Sequence, residues 1–173
     1  MQKTVWITGA SSGIGEALAL EYAKSNANLI LSSRKKEALE VVAKKCQTPS
    51  NKVFVAPLDL ADSSNFKAVI SEVRSQFDRV DILINNGGIS QRSLVLETPM
   101  EVDRRLFEIN YFGTIHLTKL ILPWMLETGG GNIVAISSIS GKFGFPLRAS
   151  YAATKHALFG FVETLGLEHI KDN

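Results

Sequence analysis

A chain of 173 residues with 45% hydrophobic residues, 21% charged residues and a net charge of +2 can bury one sizeable core and has ordinary globular composition. Its basic residues are scattered apart from short groups such as Arg34-Lys35-Lys36, so there is no basic stripe to hold nucleic acid. The single cysteine, Cys46, cannot form an intramolecular disulfide, and no Cys/His cluster has metal-ligand spacing, so no metal is expected and a reducing cytoplasm suits the chain.

The opening "MQKTVWITGA" enters an apolar strand pattern at once, so neither a signal peptide nor a transit segment is expected. No apolar run approaches the roughly 20 residues that span a bilayer. The expectation is a soluble cytoplasmic protein without membrane contact.

The first strand is expected at 4–8, "TVWIT", followed by a helix over 13–25. Between them lies "TGASSGIGEAL", in which Gly9, Gly13 and Gly15 read G-x-x-x-G-x-G. At a strand-to-helix junction such glycines let the backbone approach a pyrophosphate, and the helix start offers unpaired N–H groups. The loop Gly9, Ser11, Ser12, Gly13, Ile14 and Gly15 is therefore the candidate phosphate cradle. No lysine follows as a P-loop requires. A ligand-free glycine turn is the weaker reading, because three glycines cost stability unless the space is used.

The second strand, 27–33, ends "LSSRKK". An NAD site usually carries an Asp or Glu here to accept from the ribose 2′-OH. Ser33 and Arg34 stand there instead, and a hydroxyl with a guanidinium suits a 2′-phosphate, so NADP(H) is favoured over NAD(H). The bland alternative is that Arg34 is a surface charge.

Further along, helix 35–46, strand 52–58, helix 62–77, strand 80–86, a helical stretch 99–127, strand 131–138 and helix 150–170 continue the alternation. Asp62-Ser63-Ser64 and Thr98-Pro99 read as helix N-caps, and "TGGGN" at 128–132 as a helix stop. The strands are almost continuously apolar, as strands buried on both faces of a parallel sheet are. Alternation at this rhythm predicts right-handed βαβ units in a doubly wound, Rossmann-like three-layer α/β/α fold, one domain over 1–173. The "GNIVAISS" strand lies near a sheet edge with nothing to cover it, so the chain is expected to be C-terminally incomplete or to pair with a partner. Asn86, Gly87 and Gly88, at the carboxyl end of the fourth strand, fall in the ligand crevice of such a fold.

Tyr151 and Lys155 lie four apart at the start of the last helix, on one face. Chance alone yields roughly 0.2 Y-x-x-x-K pairs in this composition, so the pair carries little by itself. Taken together, however, "TGASSGIG", "NNGG" (85–88), Asn110, "ISSISG" (136–141) and "YAATK" (151–155) resemble the classical short-chain dehydrogenase/reductase pattern, in order and spacing, over residues 4 to about 170. "NNGGISQRSL" further resembles a branch that carries Gly where most members have Ala.

The resemblance implies a sheet of order 3-2-1-4-5 with later strands missing, and an NADP(H)-dependent enzyme interconverting a carbonyl and a secondary alcohol. Tyr151 would be the general acid/base. A free phenol titrates near 10, so a fixed cation, Lys155, is needed to favour phenolate. Lys155 would also bond the nicotinamide ribose. Ser138, with Ser137 and Ser140 as rivals, would donate to the substrate oxygen. Asn110 would hold a water that links Lys155 to solvent, unless it merely caps a helix beginning at Tyr111. Asp59 and Leu60 would contact adenine. Phe143, Phe145 and Leu147 are expected to form an apolar wall, which favours an apolar substrate. The histidines 116, 156 and 169 suit surface or packing roles. A homodimer or homotetramer is implied. The rival from another class is a dinucleotide-binding module without turnover.

Overall fold

The computed structural model describes residues 2–171. Strand β1 (Thr4–Thr8) leads into helix α1 (Gly13–Lys24), β2 (Asn28–Ser32) and α2 (Lys36–Cys46). Strand β3 (Val53–Val55), helix α3 (Phe66–Gln76) and β4 (Ile82–Asn85) follow. The second half holds α4 (Met100–Phe107), α5 (Thr114–Glu127), β5 (Asn132–Ala135) and α6 (Ala149–Glu168). The five strands form one parallel sheet in the order β3-β2-β1-β4-β5. This is the doubly wound arrangement that the alternation of strand and helix patterns predicts.

Successive side chains of a strand leave opposite faces, and the core divides accordingly. Trp6, Ile30 and Leu83 join Phe66, Val73, Leu117 and Ile121 on the side of α3 and α5. Val5, Ile7, Leu29 and Ile84 pack with Ala19, Leu39 and Val42 on the side of α1 and α2. Burial of both faces explains why these strands lack polar alternation. At the edge, β5 is less covered, with Val134 39% exposed, as the run of unpaired apolar residues led one to expect.

Two strands are shorter than their apolar runs. After β3 the chain still follows β2 through Ala56 N–H to Leu31 C=O and Leu58 N–H to Ser33 C=O, but Pro57 between them has no N–H to give. After β5, Ile136 makes one more bond to Asn85, and Ser138 then caps a short 3-10 turn, Ile139–Gly141. Asp62 caps a 3-10 turn, Ser63–Asn65, by accepting from Ser64 N–H, as expected. Thr98 does not cap: its hydroxyl donates to Leu94 C=O, and Pro99 itself occupies the N-cap position of α4. The glycine stop is present, with Gly129 at φ +97° and Gly130 at φ +79°, the latter donating to Met125 C=O.

The stretch 99–127 is helical throughout, but a π-helical turn, Glu108–Gly113, separates α4 from α5. There Gly113 passes so close to Leu60 that a Cβ would lie 2.0 Å from the Leu60 carbonyl oxygen. The wide turn is a local distortion of the kind found at functional sites.

Candidate active site

Strand order reverses at β1, between β2 and β4, so a crevice opens at the carboxyl ends of those strands. A cleft of about 530 Å³ occupies that position. Gly9, Ser11 and Ser12 line one side, Ser33, Arg34 and Lys35 another, and Asp59, Leu60, Asn86, Gly87 and Gly88 the rest. The first loop folds tightly because Gly9 (φ +64°) and Gly13 (φ +59°) take left-handed backbone conformations. Gly13, Ile14 and Gly15 stand outside the lining. Gly15 is buried, and a Cβ there would lie 2.3 Å from the Gly9 carbonyl oxygen, so its part is to seat α1 against the turn. Ile14 is 60% exposed.

Thr8, which the sequence presents as the last residue of a strand, organises the opposite wall. Its Oγ1 accepts from Asn86 N–H at 3.0 Å and Gly87 N–H at 2.9 Å. In return, the Asn86 amide donates to Thr8 C=O at 3.0 Å and Gly9 C=O at 3.2 Å. The glycine turn and the Asn86–Gly88 segment are thus tied into one rigid floor. A Cβ on Gly87 would meet Leu60 Cδ1 at 2.7 Å, so Leu60 fills the room that an alanine would use.

The residues fit a dinucleotide on two counts. The cradle at Gly9, Gly15 and Gly87 has no room for a Cβ, and the Ser33 hydroxyl, buried in the wall, has no hydrogen-bond partner among the described residues. Ser12 at the N-cap of α1 makes no side-chain cap bond, which leaves N–H groups of the helix start available to an anion.

Beyond Gly88 the second half of the site begins. A Cβ at Gly88 would lie 3.0 Å from Asn110 Oδ1 and 4.0 Å from Lys155 Nζ. Asn110 lies inside the π turn, so it does not cap a helix starting at Tyr111. Its side chain accepts from Ile89 N–H at 2.8 Å and donates to Ile89 C=O at 2.9 Å and Thr154 Oγ1 at 3.2 Å. One buried amide therefore joins the crevice loop, the π turn and α6.

Lys155 is only 6% exposed. Its ammonium donates to Ile136 C=O at 2.7 Å, and burial pushes its pKa below the ordinary lysine value. Nζ stands 5.9 Å from the centre of the Tyr151 ring, so the two side chains meet as the i, i+4 spacing predicts. Ser138 follows two residues after Ile136 and accepts from Ser140 N–H at 3.2 Å, which leaves its own proton free to be donated. Of its rivals, Ser140 is buried and Ser137 packs against Gly141.

The residues expected to form an apolar wall lie outside the nucleotide cleft. Phe143 is 64% exposed and Phe145 43%, Leu147 has φ +64°, and none of the three lines the cleft. Of the histidines, His116 packs against Phe66, and His156 Nδ1 lies 2.8 Å from Ala152 C=O.

Comparison with known proteins agrees with this fold. The family model described as short chain dehydrogenase matches residues 3–173. Human dehydrogenase/reductase SDR family member 7 is 47% identical over 168 residues, 95% of this chain and 50% of that protein. A Drosophila melanogaster SDR family protein 7-like dehydrogenase/reductase is 43% identical over 175 residues, 99% of this chain and 54% of its own. Among solved structures, L-sorbose reductase from Gluconobacter frateurii, complexed with NADPH and L-sorbose, superposes with a TM-score of 0.93 at 34% identity. That match covers 99% of this chain and 66% of the other. This chain spans about half the length of the curated relatives it matches. With a family model matched along nearly its whole length and these relatives, the chain belongs to the short-chain dehydrogenase family.

Proposed function

We propose that the chain carries the nucleotide-binding and acid–base residues of an NADP(H)-dependent oxidoreductase that interconverts a carbonyl and a secondary alcohol. The observation that carries this reading is convergence: one crevice holds a glycine cradle and a buried hydroxyl beside an arginine, and its Gly88 edge borders Lys155 of the Tyr–Lys pair. Bound NADP(H) would supply or accept the hydride.

Gly9, Ser11, Ser12 and Gly13 would hold the pyrophosphate, and Ser33 with Arg34 the 2′-phosphate. The residues at the end of β2, Ser32-Ser33-Arg34-Lys35-Lys36, include no Asp or Glu to repel the extra charge. Asp59 and Leu60 would flank the adenine, with Asn86, Gly87 and Gly88 along the middle of the cofactor. The structural neighbour that holds NADPH supports the same choice of nucleotide.

Tyr151 exchanges a proton with the reacting oxygen. Lys155 stabilises the phenolate form with its positive charge and reaches the nicotinamide ribose. Ser138 donates to the oxygen as charge develops there. Asn110 fixes Gly88 and Ile89 beside Lys155, where a held water would link the ammonium to solvent. Ile139, next to Ser138 in the chain, and Phe143 and Phe145 of the same segment are exposed and would favour an apolar substrate. By likeness to the family, the protein would act as a homodimer or homotetramer.

Fluorescence titration with NADPH and NADH, on this chain and on Arg34→Ala, tests the reading. NADPH is expected to bind on the order of tenfold or more tightly than NADH, and the substitution to remove most of that margin. Equal affinity for both nucleotides in the unaltered chain would refute the NADP(H) assignment. Binding without reduction of any of a broad panel of ketones would favour a non-catalytic dinucleotide-binding module.

A further inference from the structure

Three segments converge on the first turn of α6, and none is explained by cofactor binding. Arg148 Nη1 donates to Gln91 C=O at 2.7 Å and to Ser90 Oγ. The Gln91 side chain reaches back, and its Oε1 accepts from Tyr151 N–H at 3.2 Å. Ser93 N–H donates to Leu147 C=O at 3.3 Å, where Leu147 takes its left-handed conformation. On the neighbouring face, Ser150 Oγ donates to Asp103 of α4.

This arrangement replaces a conventional helix cap. Arg148 occupies the N-cap position of α6 and has no side chain able to accept from the first N–H groups. A glutamine some 60 residues earlier in the chain supplies the acceptor instead, and does so at Tyr151 itself. Arg148 holds the backbone of that glutamine, and its guanidinium carbon lies 6.0 Å from the Tyr151 ring centre, nearly the same as the 5.9 Å of Lys155 Nζ. Two cations thus lie about 6 Å from the centre of the Tyr151 ring, and Asp103 of α4 holds the neighbouring Ser150.

We propose that Gln91 and Arg148 form a clamp that locks the 89–93 loop to the start of α6 and positions Tyr151 for proton transfer. Both are positioning residues: neither needs to touch substrate or cofactor, and each acts through Tyr151. The inference rests on the reading of Tyr151 as the general acid/base, and the test separates the two.

The variants are Gln91→Ala, Gln91→Glu, Arg148→Ala, Arg148→Lys and the double alanine variant. NADPH affinity and far-UV circular dichroism are expected to stay unchanged, because the clamp lies outside the cleft lining. With a ketone that the unaltered chain reduces, kcat should fall on the order of tenfold in each alanine variant. The double variant should be no slower than the slower single one, because the two residues act as a unit. Gln91→Glu keeps an acceptor and Arg148→Lys keeps the charge, so both should recover most of the rate. Rates within twofold of the unaltered chain in both alanine variants, or loss of rate matched by loss of NADPH affinity, would overturn the clamp.

If the unaltered chain reduces no ketone, the failure lies with the catalytic reading, and amide hydrogen exchange decides the clamp. Tyr151 N–H should exchange on the order of tenfold faster in Arg148→Ala as well as in Gln91→Ala, although Arg148 does not touch that group. Unchanged exchange at Tyr151 in Arg148→Ala would overturn the proposal.

Discussion

Lys155 carries two demands that pull in opposite directions. In the proposed function its charge would serve the neighbouring phenol, yet taking an ammonium almost out of water costs free energy, which one carbonyl partner only partly returns. Burial lowers its pKa in the folded chain, so the unfolded chain binds this proton more tightly. Below the folded value, folding bears the full penalty. As pH rises through the folded value towards the unfolded one, near 10.4, the penalty is relieved and stability rises. Urea unfolding of the chain and of Lys155→Met across pH 7 to 10 should therefore show the unaltered protein gaining on the variant as pH climbs. A difference in midpoint that does not change with pH would show that the buried amine pays no such cost.

Helix α6 and the π turn treat glycine in opposite ways. Gly160 lies inside α6 with open space where a Cβ would stand, so it contributes only backbone freedom that folding must remove. Gly160→Ala should stabilise the chain by about 0.5–1 kcal/mol, read as a higher urea midpoint. Gly113 closes the π turn with the Leu60 carbonyl oxygen where its Cβ would stand, and backbone cannot swing aside as a side-chain tip can. Gly113→Ala should cost about 3 kcal/mol. Because that turn carries Asn110, the variant should also lose affinity for NADPH. Equal tolerance of alanine at both positions would contradict the close passage of the π turn over Leu60.

At the scale of the whole molecule, a sheet packed on both faces leaves few places where the core can open without the fold opening too. Cys46 reports on this. It ends α2 within the core on the α1 and α2 side and is fully buried. Burial first, and the nearby Glu16 second, raise its thiol pKa, so the reactive thiolate is scarce as well as hidden. Reaction with an aromatic disulfide reagent should be slow in native buffer and should accelerate with urea in step with loss of circular dichroism. Rapid stoichiometric labelling without denaturant would mean that α2 detaches from the sheet on its own.

Strand runs, helix spacing and the glycine turn were legible because each is written locally. Two-sided burial appears as an unbroken apolar run, and left-handed turns at Gly9 and Gly13 require glycine. The pairing of Tyr151 with Lys155 was legible for the same reason, since helix geometry sets it. The sequence by itself therefore determined the alternating α/β architecture and the position of the crevice, with Gly9, Ser11, Ser12, Ser33, Arg34, Asp59, Leu60 and Asn86–Gly88 in its lining. Tertiary structure alone decided the partners that close the site. Thr8 with Asn86, Asn110 with Ile89 and Thr154, and Gln91 with Arg148 and Tyr151 are hydrogen bonds between segments 21 to 78 residues apart. Such bonds leave no periodic trace, because the residue at each end fits a loop, a strand end or a helix turn equally well until the sheet brings its partner within reach.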